Sequence, residues 1–264
     1  SVHPDGSLRN GGLEYVTRGT INYDKASEAL DLLYKSLAKS KLRASIRTSV
    51  HVHMNLKTFT LNELCAFVLM YYSFEEMLVS WCGEARQGNL FCLRAKDSPG
   101  IIDKWALALR SLNWAYFNEQ RDRYMALNPC SITKFGSLEL RSLEGQTAPD
   151  IILIWLAAIE RIKEKAKGYY NNPVKFVNEF SGANPIEFFQ EFFKGIPIAE
   201  QALFSCRAYD IDADVAIWSG VRMAQPLAHI IDWDEFCSNL DGVYIPNPFE
   251  TPPAPPQQQV RFRA

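Results

Sequence analysis

The chain has 264 residues, of which 47% are hydrophobic and 22% are charged, and its formal net charge is −2. This composition predicts a globular protein with enough apolar surface for a core. The balanced charge gives no general attraction to nucleic acid or to an anionic membrane. The longest apolar run, residues 151–159, is much shorter than the roughly 20 residues that cross a bilayer. We therefore expect neither nucleic acid nor a membrane as a partner.

The cysteines are scattered and contain no C-x-x-C pair, which indicates reduced thiols rather than a disulfide framework or a zinc finger. They are Cys65, Cys82, Cys92, Cys130, Cys206 and Cys237. Reduced thiols favour a cytoplasmic location. The chain opens with SVHPDGSLRNGG and has no initiator methionine, so we expect further residues upstream.

The N-terminal region predicts a strand followed by a helix. Residues 11–19, GGLEYVTRG, form a short run between glycines, with Glu14 and Val16 on the same face. Asp24 is the predicted N-cap of a helix that reaches about Leu37. This arrangement places one acidic side chain on an early strand.

A second strand carries two histidines. In SVHVHMNL, residues 49–56, the side chains of His51, His53 and Asn55 share one face, because strand side chains alternate. The intervening residues are apolar and share the opposite face. A single half-buried histidine is usually a core residue, but two on one face are better explained by a binding or catalytic site.

The middle of the chain predicts helices around two antiparallel strands. Thr60 and Glu63 form a capping box before a long apolar helix, and Ser98 with Pro99 opens a helix through Leu112. The strands are residues 123–132 and 134–144. A further apolar helix begins at Thr147 and Pro149 and runs to about Gly168. The second strand alternates Leu138 and Leu140 with Glu139 and Arg141.

The rest of the chain differs in composition. Residues 171–182 and 184–195 predict short helices that start at Asn-Pro and end at glycine, and residues 212–231 predict a longer one. We therefore divide the chain into a sheet and helix domain over 1–168, a helical appendage over 169–243, and a tail over 244–264. The tail is rich in proline and glutamine, which suits an extended segment that binds a protein partner.

The polar residues on the predicted strands form a chemically coherent set. They are Glu14, His51, His53, Glu139 and Arg141, with Arg86 and Glu144 nearby in the sequence. Carboxylates with imidazoles suit a divalent cation such as Mg²⁺ or Mn²⁺, and guanidinium groups bind phosphate or carboxylate. Such a face predicts a site for phosphoryl transfer.

The order of several motifs resembles the phage-type amidoligases. The motifs are DGSLRNGGLEYV, HVHM, EARQGNLFC and RYMALNPCSITKFGSLELRSLEGQ, and the resemblance covers about residues 5–162. This family belongs to the carboxylate-amine ligase superfamily, with glutamate-cysteine ligase and glutamine synthetase. The resemblance implies an α+β fold of the glutamine synthetase type, in which helices flank a curved antiparallel sheet.

The resemblance also implies an activity and a set of roles. ATP would phosphorylate a substrate carboxylate, and an amine would attack the acyl phosphate to form an amide. Glu14, Glu139 and His51 would bind Mg²⁺ or Mn²⁺, while His51, His53 and Arg141 would contact ATP. Arg141 and Arg86 would be the catalytic residues that hold phosphate or carboxylate. The substrates would be a small-molecule or peptide carboxylate and an amine, in the host cytoplasm if the protein is phage-encoded.

One feature of the family is absent from the sequence. A strand with a G-x-E-x-E carboxylate pair normally precedes DGSL, and its absence bears on catalysis more than on fold. Two other functions therefore stay open. A metal-dependent hydrolase could use the HVH pair for zinc, although no third ligand is evident at the required spacing. A non-catalytic, virion-associated binding protein could retain the ligase fold.

Overall fold

The structure is a computed structural model, and it describes most of the chain. The described residues are 1–5, 12–17, 19–40, 42, 45–119, 121–169 and 172–230. The predicted tail over 244–264 and the end of the predicted appendage lie outside them. Within the described residues, no helix combines the length and apolarity that crossing a membrane requires.

The described residues form an α+β fold, as predicted, with two small antiparallel sheets. The strands are β1 (Val2–Pro4), β2 (Leu13–Tyr15), β3 (Ser49–Asn55), β4 (Leu127–Asn128) and β5 (Ser137–Glu144). The helices are α1 (Tyr23–Leu37), α2 (Leu61–Trp81), α3 (Ile101–Ser111), α4 (Ser131–Phe135), α5 (Asp150–Gly168), α6 (Pro173–Ser181), α7 (Pro185–Phe192), α8 (Ile198–Ala208) and α9 (Ala213–Ile230).

The sheet that carries the histidines has the strand order β3-β5-β4, and both pairings are antiparallel. His53 lies opposite Glu139 in this register. Farther along, the pairing contains a bulge, because β3 advances two residues from Val50 to Val52 while β5 advances three, from Leu143 to Leu140. A bulge increases the local twist and changes the direction of nearby side chains. The bulge lies beside Arg141.

Helix α2 is the centre of the fold. The predicted capping box is present, since the Glu63 amide donates to Thr60 Oγ1 at 3.2 Å and the Thr60 amide donates to Glu63 Oε2 at 2.8 Å. Every residue of α2 except Glu63 is buried, because α5, α8 and α9 pack around this helix. At Gly220 of α9 an added Cβ would lie 2.3 Å from the Ser73 carbonyl oxygen of α2, so the two backbones touch there.

Helices α6, α7 and α9 share this core with α2. The ring of Phe74 in α2 lies 6.0 Å from that of Phe176 and 5.4 Å from that of Phe189, and Trp218 of α9 contacts Phe180. One cluster of buried apolar residues therefore spans residues before and after 168. The predicted boundary at 168 separates stretches of sequence that pack together.

Two predicted helix starts were wrong by a few residues. Helix α1 begins at Tyr23, because the Asn22 side chain caps it by accepting from the Lys25 amide, whereas Asp24 lies inside the first turn. Helix α3 begins at Ile101 after Gly100, which adopts a left-handed conformation with φ of 86°. The predicted cap at Ser98 precedes this turn.

The structure differs from the prediction in two further elements. The first strand of the predicted pair is shortened to β4, because Asn128 Oδ1 accepts from the Cys130 amide at 2.9 Å and turns the chain into α4. Helix α8 was not predicted. Its Ile198, Ala202 and Cys206 are buried against the rest of the core.

Glu75 of α2 is a fully buried carboxyl group. Its Oε2 accepts from the Ala95 amide at 2.6 Å, and its Oε1 is buried without a hydrogen-bond partner in the part of the chain that the structure describes. Burial raises the pKa of Glu75 to about 8, against the lowering effect of the Ala95 amide. The folded protein therefore holds this side chain mainly as the neutral acid at pH 7.

We expect Glu75→Gln to raise the free energy of unfolding by about 2–3 kcal/mol at pH 7, because glutamine has the shape of the neutral acid and ionises in neither state. The pKa of Glu75 is raised on folding, so wild-type stability falls as the pH rises from about 4.5 to 8. The gain should therefore vanish near pH 4. Urea denaturation at both pH values measures it, with exposed Glu187→Gln as the control. An equal gain at both pH values would contradict the account.

Candidate functional site

Four of the predicted polar residues meet on one face of the β3-β5-β4 sheet. His51 Nδ1 lies 2.9 Å from Glu139 Oε1, and Arg141 Nη1 lies 3.7 Å from the same oxygen. His53 lies across from Glu139 in the strand register. The structure thus brings His51, His53, Glu139 and Arg141 together, and we name these four residues the HER cluster.

Glu139 is the centre of the HER cluster. The residue is 7% exposed, and both carboxylate oxygens have partners. Oε2 accepts from the Asn128 side-chain amide of β4 and from Ser131 Oγ, the latter at 3.2 Å. The strand register explains the first contact, since Asn128 pairs with Glu139. The carboxylate is therefore fixed from both sides.

The surroundings of Glu139 keep it ionised. Burial alone would raise the pKa of the carboxyl group, but the hydrogen bond from His51 and the electrostatic effects of His51, Arg141 and His53 outweigh burial. Together they lower the pKa of Glu139 to about 2. The HER cluster thus contains a buried carboxylate at neutral pH.

Arg141 is more enclosed than the sequence suggested. Its side chain is 13% exposed, and Nη1 donates to the Arg123 carbonyl oxygen at 2.6 Å. Its guanidinium carbon lies 5.6 Å from the centre of the Tyr124 ring, within the range of a cation–π contact. Its Nε is buried without a hydrogen-bond partner among the described residues. The guanidinium is therefore fixed in position.

His53 lies at the edge of the HER cluster. Its Nδ1 is 3.0 Å from Ser137 Oγ, and its ring meets that of Phe135 edge-on at 5.5 Å. Burial lowers the pKa of His53, although the carboxylates of Glu139 and Glu14 oppose this effect. The neutral form of the His53 ring is therefore favoured at pH 7.

Two predicted site residues lie outside these contacts. Glu14 is exposed on β2, where it lies opposite His3 in the strand register, and it has an electrostatic effect on His53. Arg86 is 1% exposed, and it donates to the carbonyl oxygens of Ser142 at 2.9 Å and of Arg141 at 2.8 Å. These bonds support the backbone of β5, so the Arg86 guanidinium is directed at backbone carbonyls rather than at Glu139.

Sequence reasoning missed three polar partners of the cluster. Asn128 and Ser131 bind Glu139, and Ser49 Oγ lies 2.8 Å from His51 Nε2. Ser49 could have been found, because it is two residues before His51 and shares its strand face. The other two depend on the turn from β4 into α4, which gave no signal in the sequence.

The predicted metal ligands do not fit a metal ion as they are arranged. Within the described ranges, no group of three or more histidine, cysteine, aspartate or glutamate side chains is placed to hold one. Both oxygens of Glu139 have partners, and each ring nitrogen of His51 faces one, Glu139 or Ser49. We therefore derive no step through a metal at these residues.

The fold and the site define the class of protein. It is an α+β protein in which one face of a three-stranded antiparallel sheet carries a buried carboxylate among two imidazoles and a guanidinium. No protein-family model, curated protein or solved structure matches the chain.

Proposed function

We propose that the protein is an ATP-dependent carboxylate-amine ligase, which forms an amide or peptide-like bond through an acyl phosphate. One observation carries the proposal. The HVH strand and the ELR strand, far apart in the sequence, pair directly and place His53 opposite Glu139. The amidoligase resemblance rests most specifically on these two segments. Their pairing supports the proposed glutamine synthetase-like sheet as well.

The charges of the HER cluster support the binding of an anion. Arg141 is held by the Arg123 carbonyl and by Tyr124, so it needs little reorganisation to face a substrate carboxylate or a phosphate. We assign to Arg141 the positioning of the carboxylate that is activated.

The other residues of the cluster have supporting roles in the proposal. Glu139 orients Arg141 and His51, because both lie against its Oε1. His53, as a neutral imidazole, can accept a proton from the attacking amine. ATP with Mg²⁺ or Mn²⁺ would supply the phosphoryl group and neutralise its charge. We assign no described residue to that metal, and Arg86 has no role in the proposal.

A screen tests the proposal without knowledge of the substrate. A panel of amino acids, dicarboxylates and peptides is incubated with the whole protein, ATP, hydroxylamine, and Mg²⁺ or Mn²⁺. We expect at least one acid to give ADP and a hydroxamate in equal amounts, and EDTA to abolish both. If no acid gives ADP across the panel, the ligase is ruled out and a binding protein that retains the fold is favoured.

A further inference from the structure

Ser49, His51 and Glu139 form a continuous hydrogen-bonded chain. A carboxylate oxygen accepts, so His51 Nδ1 is the donor in its 2.9 Å contact with Glu139 Oε1. In the neutral imidazole, Nε2 is then an acceptor, and the Ser49 hydroxyl donates to it over 2.8 Å. The hydroxyl, imidazole and carboxylate are thus connected in the order that activates a serine nucleophile.

The elements around this chain give it a fixed geometry. Ser49 and His51 lie two positions apart on β3, so the strand itself aims both side chains at one face. Glu139 comes from the neighbouring strand and is anchored by Asn128 and Ser131 at its other oxygen. Ser49 is half-buried and the His51 side chain is 28% exposed, so an acyl group can reach them from solvent.

We propose that Ser49 is the nucleophile of a metal-independent acyl-transfer site, with His51 as its general base and Glu139 as the residue that positions His51. The acyl donor belongs to the small carboxylic esters. The alkoxide of an ester leaves the tetrahedral intermediate more easily than the nitrogen of an amide, which must first be protonated. This activity goes beyond the proposed ligase and does not depend on it, because it needs neither ATP nor a metal.

The proposed step balances without a further reactant. Ser49 Oγ forms a bond to the ester carbonyl carbon while its proton passes to His51 Nε2. The tetrahedral intermediate collapses, the bond to the leaving alkoxide breaks, and His51 returns the proton to that oxygen. Water then attacks the acyl-serine, with His51 again accepting and returning the proton, so that the carboxylic acid leaves and Ser49 is restored.

A fluorophosphonate probe tests the nucleophile directly. The whole protein is treated with the probe in EDTA and without ATP, and the site of labelling is mapped by peptide mass spectrometry. We expect one adduct, on Ser49. Ser49→Ala should lose it, His51→Gln should slow it at least 100-fold, and Ser36→Ala, which removes an exposed serine of α1, should leave it unchanged.

The role of Glu139 has a separate readout. The ¹⁵N shifts of the His51 ring should show a proton on Nδ1 in the wild type, and Glu139→Gln should remove that preference while β3 stays folded. Hydrolysis of p-nitrophenyl acetate should follow the labelling results. Absence of label on Ser49, under conditions that label a reference serine esterase, would overturn the proposal, as would labelling that His51→Gln leaves unchanged. Neither result bears on ATP-dependent hydroxamate formation, so the two proposals fail separately.

Discussion

Replacing Glu139 with alanine is expected to lower the free energy of unfolding by about 3–5 kcal/mol at pH 7, because it leaves the enclosed Arg141 without its carboxylate. Asn128 and Ser131 lose their acceptor as well. Urea denaturation followed by tryptophan fluorescence measures the loss. The matched control is Glu160→Ala on α5, where an exposed pair with Lys163 predicts a change below about 0.5 kcal/mol.

The same carboxylate predicts how stability depends on acid. Folding lowers the pKa of Glu139 from its usual 4.5 to about 2. Its contribution is therefore complete above about pH 4.5 and is lost as the pH falls toward 2, and it amounts to about 3 kcal/mol. Glu139→Gln should lack this part of the acid dependence. A Glu139→Ala variant that loses less than about 1 kcal/mol would contradict the enclosed ion pair.

Replacing Arg141 with alanine is expected to lower ATP-dependent hydroxamate formation by about 10²–10³-fold, because the site loses the fixed cation proposed to hold the carboxylate. The variant should still fold, at a cost of about 3–5 kcal/mol, because it removes the bond to the Arg123 carbonyl and the guanidinium partner of the buried Glu139. Hydroxamate release, measured beside circular dichroism, separates the two effects. Arg222→Ala, at an exposed position of α9, is the control.

Two results would count against this role of Arg141. The first is a folded Arg141→Ala variant with wild-type turnover. The second is an Arg141→Ala variant that does not fold together with an Arg141→Lys variant that keeps full activity, since lysine preserves the charge but not the planar fork of donors. The second result would assign Arg141 to the packing of β5 rather than to the substrate.

Local patterns predicted the elements that carry the HER cluster. The alternation in residues 49–56 and 138–141 gave two strands with the correct polar face, because a half-buried strand has a period of two. The capping box at Thr60 gave the start of α2 for a similar reason, since both of its contacts are local. These features depend on residues that are only a few positions apart in the sequence.

Features that depend on tertiary packing were not predictable in the same way. Arg86 was grouped with the site because of its residue type, but it is buried behind β5 and bonded to backbone carbonyls. Asn128 was missed because its role follows from the pairing of a two-residue strand. No local pattern predicted that α6, α7, α8 and α9 pack around α2 rather than form a separate appendage.

The oxygen balance of the reaction tests the proposed ligase most directly. An acid that supports turnover is prepared with ¹⁸O in its carboxylate, and the phosphate released with ADP is analysed by mass spectrometry. Formation of an acyl phosphate followed by attack of the amine predicts one ¹⁸O atom in each phosphate. Phosphate that carries no ¹⁸O while amide accumulates would show that the carboxylate is not phosphorylated, and it would contradict the account.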